Sequence, residues 1–303
     1  MDLRVLRYFL AVAREESITG AAEYLHLSQP TLSRQLMDLE AEFGKPLFIR
    51  GSRKITLTEH GTLLRKRASE ILELVEKTAG ELTATEEAVA GDIYIGGGES
   101  NALRQLAATA RRFRTDNPNV QFHLFSGNSA DVSDRLDKGL LDFGILMGPR
   151  DLRKYDHMRL PAVDVWGVLM PGGHPLSEKE TVRPEDLWDV PLLVSQQMMQ
   201  TNRFAQWFRR DYESLNIAAT YNLIFNASLM VEAGLGCALA YEGLVNTAGR
   251  ELCFRPVSPR MEDELYLVWK KFQVFSKASE RFLAAVRQDY ERNEPGMKGR
   301  EHL

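Results

Sequence analysis

The sequence predicts a multi-domain protein: a small helical domain carrying a β-hairpin, one long helix, and then an α/β domain. Three observations carry this. The chain has 303 residues, and at roughly 150 residues per domain that makes about two domains. Apolar residues recur at helical spacing through most of the chain up to Ala88. Beyond Ala90-Gly91, short apolar runs alternate with amphipathic ones, the pattern of βαβ units.

Composition bounds the rest. Hydrophobic residues make up 44% and charged residues 26%, the balance of a folded chain rather than a disordered one. A chain of this length buries a core without disulfide or metal staples. The net charge of −4 excludes a uniformly basic nucleic-acid binder. Residues 28–67, however, hold eight lysines and arginines against four acids, one basic region on an otherwise acidic body. Two cysteines, Cys237 and Cys253, make no secreted disulfide framework. The start Met1-Asp2-Leu3-Arg4 lacks the long apolar stretch of a signal peptide. No run reaches the ~18 apolar residues of a membrane span, so a soluble, cytoplasmic protein is expected.

Each element has a local reason. Leu3, Leu6, Phe9, Leu10 and Ala13 lie on one face of a helix over 2–15. A short helix over about 18–26 turns Ala21, Ala22 and Leu25 inward. A third is capped by Ser28, tolerates Pro30 in its first turn and ends at Gly44. Residues 46–57 read as two short strands around Gly51-Ser52, a basic hairpin or wing. A long helix follows from Thr58 to about Glu87. Its apolar line Leu64, Ala68, Ile71, Val75, Thr78, Leu82 steps 4-3-4-3-4, a seam that pairing with a second chain would bury. The alternative is a seam packed on the chain's own body.

In the α/β part, strands are expected at 92–95, 120–125 and 143–147, with helices over about 101–115 and 129–140 between them, implying a parallel sheet. A second such unit has strands near 163–169, 191–194, 219–225 and 236–240, and helices near 200–214 and 227–234. Strand 265–269 and helix 276–291 close the chain, and the polar tail 293–303 is expected to be disordered.

Two helices joined by a tight turn, the second polar outward, fit a DNA-reading helix-turn-helix. The line Leu32, Leu36, Leu39 faces the core, which leaves Gln29, Thr31, Ser33 and Arg34 free near the helix start. Glutamine pairs bidentately with adenine and arginine with guanine; serine and threonine reach bases or phosphates. Arg50, Arg53 and Lys54 on the hairpin would meet the flanking backbone or the minor groove. A polar helix face is more often merely solvated; the wing and the local charge excess favour DNA.

These residues resemble the winged helix-turn-helix of LysR-type transcriptional regulators. The match runs through Leu3 and Phe9, Ala21-Ala22-x-x-Leu25, and Leu27-Ser28-Gln29-Pro30-x-x-Ser33-Arg34-Gln35-Leu36-x-x-Leu39-Glu40. It continues through Gly44-x-x-Leu47-Phe48-x-Arg50 and Leu57-Thr58-x-x-Gly61. The resemblance implies DNA contacts from Gln29, Pro30, Ser33 and Arg34 on the recognition helix and from Arg50 and Arg53 on the wing; Thr31 is added from helix geometry. It further implies a winged helix-turn-helix over 1–60 and a dimerising linker helix over 61–90. Residues 91–303 would form an effector-binding domain of two Rossmann-like subdomains, similar to type II periplasmic binding proteins. Subdomain I would take about 91–161 and 266–292, and subdomain II about 162–265. The expected partners are double-stranded DNA, a small polar or carboxylated effector, a second copy (with a homotetramer of two dimers) and RNA polymerase. No cofactor, metal or membrane is expected.

In open parallel sheets, ligands sit beyond the carboxyl ends of the strands. Those ends supply Ser100, Asn101, Ser126, Asn128, Met147, Gln196 and Asn226 as candidate effector contacts. Serine and asparagine at helix starts are also common caps, so the cleft is a firmer expectation than any one member. Glu99 would repel an anion there, unless it points to solvent or pairs with a cationic group on the effector. Gly96-Gly97-Gly98 fits a dinucleotide loop poorly, because Asn101 stands where the third glycine belongs. Cys237 sits in an apolar strand without an activating neighbour, against a redox role for the cysteines. No nucleophile elbow, Walker loop or His-Glu-x-x-His helix supports an enzyme. A transport-type solute-binding protein would leave residues 1–88 unexplained, and a DNA-binding protein that ignores ligands remains a third reading.

Overall fold

The structure is a computed structural model that describes residues 1–51, 54–83, 89–148, 152–199 and 202–293. It falls into two compact units, Met1–Thr83 and Ala84–Leu303.

The first unit contains α1 (Leu3–Glu15), α2 (Ile18–Tyr24), α3 (Gln29–Phe43), the strands β1 (Phe48–Arg50) and β2 (Ile55–Leu57), and α4 (Glu59–Thr83). Side chains that satisfy free backbone N–H groups mark the helix starts. Asp2 accepts from Arg4 N at 2.8 Å, Ser17 from Gly20 N at 3.2 Å, and Ser28 from Thr31 N at 3.4 Å. Gly44 ends α3 at φ 62°, a left-handed conformation that glycine adopts freely. The strands pair antiparallel, Phe48 opposite Leu57. Glu40 ties them to α3 by accepting from Leu47 N (2.7 Å) and Phe48 N (3.1 Å). Leu6, Phe9, Val12, Ala21, Ala22, Leu32, Leu36, Leu39, Leu47, Ala68 and Leu72 form the core.

The seam of α4 divides. Ala68 and Leu72 are buried in this unit, with Leu64 and Ile71 packed against them, so the first half is satisfied within the unit. In the second half Val75 is half-buried and Thr78 and Leu82 are exposed, Leu82 by 82%; Leu63 and Leu74, which are not part of the seam, are exposed as well.

The second unit contains β3 (Gly91–Gly97), α5 (Ala102–Asp116), β4 (Val120–Ser126), α6 (Ser129–Asp137), β5 (Phe143–Met147) and β6 (Tyr155–Pro171). Then come β7 (Leu192–Ser195), α7 (Gln196–Met199), α8 (Asn202–Phe208), β8 (Ile217–Tyr221), α9 (Ile224–Glu232) and β9 (Cys237–Tyr241). β10 (Leu252–Pro256), β11 (Glu262–Lys270) and α10 (Lys277–Asn293) close it. The strands form one sheet in the order β4-β3-β5-β11-β6-β9-β7-β8, with β10 also on β6.

That sheet is mixed rather than parallel. β3 pairs parallel with β4 and β5, and β7 with β8 and β9, giving two α/β halves. β6 and β11 run antiparallel from one half into the other, with an irregularity between Glu264 and Tyr266. β6 thus begins at Tyr155, well before the expected 163. The sequence reading missed β10, whose Cys253 lies opposite Met170. It also overran two elements. The strand expected to 225 stops at Tyr221, and the helix expected to 214 stops at Phe208, followed by a 3-10 turn over Tyr212–Ser214. Each half has its own core, one around Phe143, Trp269 and Phe282 and the other around Trp166, Phe204, Phe208 and Tyr241.

Candidate functional site

Two sites emerge, one in each unit. In the first, His26 (φ 54°) takes a left-handed backbone in the turn between α2 and α3, which redirects the chain within a few residues. With Leu32, Leu36 and Leu39 buried, α3 presents Gln29, Pro30, Thr31 and Arg34 to solvent, and Ser33 is half-buried. The Thr31 hydroxyl lies 2.7 Å from that of Ser28, so the capping pair already engages it. Arg34 makes no ion pair among the described residues. Arg50 is the last residue of β1, opposite Ile55; Arg53 lies outside the described residues. Lys54 pairs with Glu16 at 3.1 Å.

In the second unit a cavity of about 370 Å³ opens between the two halves. Its lining comes from every segment that reaches the crossover: Glu99 and Asn128 from one half, and Trp166, Arg203, Phe204, Tyr221, Asn222 and Tyr241 from the other. Asp263 of β11 closes one wall. Of the sequence-selected residues, Asn128 and Met147 line the cavity.

The others lie outside the lining, each for a visible reason. Ser100 is turned into the fold and accepts from Ala102 N at 3.0 Å. Asn101 spans the cleft beside the cavity, its side-chain amide donating to Glu242 O. Ser126 is exposed at the end of β4. Gln196 yields to Gln197, which meets Ser129 across the cleft at 3.1 Å. Asn226 is exposed on α9 because β8 ends early, and Asn222 takes the position at the strand end. Asn128 also caps α6, accepting from Ala130 N and Asp131 N.

The residues that sequence reasoning missed form a buried polar network. Asp263 Oδ2 accepts from Trp166 Nε1 (2.8 Å) and from the Tyr241 hydroxyl (2.5 Å), and Oδ1 accepts from Arg203. Burial and the Asp263 charge push the Tyr241 hydroxyl well above its ordinary pKa, so Tyr241 stays a donor. Asp263 sits directly opposite Asp164 in the β6–β11 ladder, which puts both carboxyls on one face. Asp164 is fully buried and accepts from Asn101 N at 3.0 Å. Burial raises its pKa, opposed by hydrogen bonds from Ser100 and Asn101 and reinforced by Asp263. The advance signal was the subdomain boundary expected near 265, which put Asp263 beside the junction of the two halves.

The two cysteines lie on strands that flank β6. At about 4.8 Å between neighbouring strands, their Cα atoms stand roughly 9–10 Å apart, beyond the ~7 Å limit for a disulfide. Burial raises the Cys237 thiol to about 11.

A helix-turn-helix with a hairpin, in one chain with a two-lobed domain that encloses a cavity, defines a ligand-responsive DNA-binding regulator. Comparison with known proteins agrees. The bacterial regulatory helix-turn-helix family of the LysR type matches residues 3–62, and the LysR substrate binding domain matches residues 86–291. The Hca operon transcriptional activator HcaR of Escherichia coli (strain K12) is 30% identical over 298 residues, covering 95% of this chain and 98% of that protein. The regulator IlvY of the same organism is 30% identical over 244 residues, 79% of this chain and 81% of its own. The crystal structure of the LysR-family regulator CbnR superimposes with a TM-score of 0.75 at 21% identity, covering 96% and 99% of the two chains. CbnR bound to its target DNA gives 0.72 at 22% identity, covering 95% and 99%. The chain belongs to the LysR family of DNA-binding transcriptional regulators with an effector-binding domain. Among the described residues, no helix is long and apolar enough to cross a membrane.

Proposed function

We propose that two copies of this chain read the two halves of a dyad-symmetric DNA site, and that a small molecule in the cavity of the second unit sets the regulatory output. The observation that carries the reading is the cavity between two lobes joined by paired antiparallel strands. Such lobes can close on a ligand, and the ligand shifts the protein towards whichever arrangement it binds better. Contacts already cross the cleft beside the cavity: Asn101 to Glu242, Arg104 to Gly243 (3.2 Å) and Gln197 to Ser129.

Base reading falls to Gln29, Thr31, Ser33 and Arg34, with Pro30 in the first turn and Arg50 and Arg53 towards the backbone or minor groove. Exposed Leu63 and Leu74 stand about three turns apart on one face of α4, which favours a dimer through that helix. Exposed Phe225, Leu229 and Met230 on α9 give a second apolar surface for a tetramer of two dimers. RNA polymerase is the further partner such an assembly would address. The family's known members are regulators, and we extend this to a protein without enzymatic turnover, working in the cytoplasm.

The test is selection of bound genomic fragments, sequenced and footprinted at two salt concentrations, with Arg34→Ala in parallel. Recovery of a dyad-symmetric site upstream of a few genes is expected. Arg34→Ala should cost ~1–3 kcal/mol and relax preference at one position. Equal weakening on all sequences would assign Arg34 to phosphate, and recovery of random DNA alone would overturn the reading.

A further inference from the structure

The charges around the cavity argue for the chemical class of the effector. The lining holds two carboxylates, Glu99 and Asp263, against one cation among its described residues, Arg203. That cation is committed: one guanidinium nitrogen donates to Asp263, another to Glu262 O at 2.6 Å. Behind the pair, Asp164 lies opposite Asp263 with no cation of its own. Among the described residues, an entering carboxylate would therefore meet net negative charge and no free basic side chain.

Glu99 is differently placed. One carboxylate oxygen accepts from Ile224 N at the start of α9 across the cleft, and its side chain reaches into the cavity. The wall beside it is aromatic. The ring centroid of Trp166 lies 4.6 Å from that of Phe204 and 4.2 Å from that of Tyr241, and Tyr221 adds a fourth ring. The Trp166–Phe204 pair meets edge to face and the Trp166–Tyr241 pair is tilted, and a cavity that holds both a carboxylate and aromatic rings attracts an ammonium group and the apolar body attached to it. Ser100, one of the expected effector contacts, is turned away into the fold.

We infer that the effector is a positively charged amine on an apolar or aromatic body, held by Glu99 and the Trp166–Phe204–Tyr241 wall, rather than a carboxylate. The inference rests on the effector reading above. A cavity of about 370 Å³ suits a molecule of that kind.

The test uses the full chain and three probes of matched shape: phenethylamine, phenethyl alcohol and hydrocinnamate. Calorimetry should find phenethylamine the tightest and hydrocinnamate the weakest. Glu99→Gln, which keeps an acceptor for Ile224 N, should weaken phenethylamine roughly 10–100-fold and leave the alcohol unchanged. A urea-unfolding transition by tryptophan fluorescence that matches the parent's shows that the variant folds, since all four tryptophans lie with Glu99 in the second unit. Should it not fold, a salt titration of the unaltered protein decides: added salt should weaken the amine and spare the alcohol. Tighter binding of hydrocinnamate than of phenethylamine overturns the charge assignment and leaves the effector cavity standing. So does amine binding indifferent to Glu99→Gln or to salt. Binding of none of the three overturns both.

Discussion

Replacing Asp263 with alanine should unfold the second unit far more easily than the first. In the structure this carboxylate accepts hydrogen bonds from Trp166 and Tyr241, both nearly buried, and from Arg203. Alanine leaves the indole N–H without an acceptor and the phenol O–H with only the weak Met147 Sδ at 2.7 Å, and an unmet buried donor costs about 1–3 kcal/mol. The Arg203 side chain is 44% exposed, so water takes over its charge and its share is at most ~1 kcal/mol. The three losses share one site and do not add fully; the expected total is about 3–5 kcal/mol. The four tryptophans, Trp166, Trp188, Trp207 and Trp269, all lie in the second unit. Urea unfolding followed by tryptophan fluorescence therefore reports that unit alone. Asp263→Asn is the informative partner. It keeps an acceptor, loses the attraction to Arg203 and removes the repulsion from Asp164, so it should cost ~1 kcal/mol or less. A loss below ~1 kcal/mol for the alanine variant, or a larger loss for asparagine than for alanine, would refute the network's role.

Two further predictions concern single groups. Burial holds the pKa of Asp164 above its ordinary value of 3.8. Its contribution to stability is thus complete below that value and is lost as pH rises through the folded-state pKa. Asp164→Asn, neutral at every pH, should accordingly stabilise the second unit near neutrality relative to the parent and gain little in acid, as urea midpoints across pH would show; a gain confined to acid would contradict the assignment. Gly61 stands where a Cβ would lie 2.1 Å from Leu47 O, the carbonyl that accepts from Thr58 N at 3.0 Å. Gly→Ala in an open helix gains up to ~1 kcal/mol, but here the clash should outweigh that and cost about 1–3 kcal/mol. Helical circular dichroism on heating would show it, and a higher midpoint would disprove the clash.

Much of the first unit was legible because its signals are local. Ser28 capping α3, Pro30 in its first turn and Gly44 ending it act within a turn of the helix they delimit. The line Leu32, Leu36, Leu39 fixes which side of α3 faces inward, and so which residues remain exposed. The cavity was legible as a place and largely illegible as a list of residues. Strand ends correctly put it between the two halves, but serine and asparagine at those ends also cap helices, as Asn128 does. A shift of a few residues in where β8 stops exchanged Asn226 for Asn222.

The sequence by itself determined the order of most elements and which face of α3 is buried, because these depend on periodicity and on groups a few positions apart. The tertiary structure alone decided the rest. Asp263 meets Trp166, Arg203 and Tyr241 only because β11 crosses beside β6 and turns three distant segments onto one carboxylate. Glu99 reaches Ile224 only because the halves face each other across the cleft. Half of the α4 seam is spent inside its own unit, which no spacing could reveal. The physical reason is common to all three. Burial and charge pairing depend on which atoms stand within a few ångströms, and long-range strand pairing sets that distance irrespective of separation along the chain.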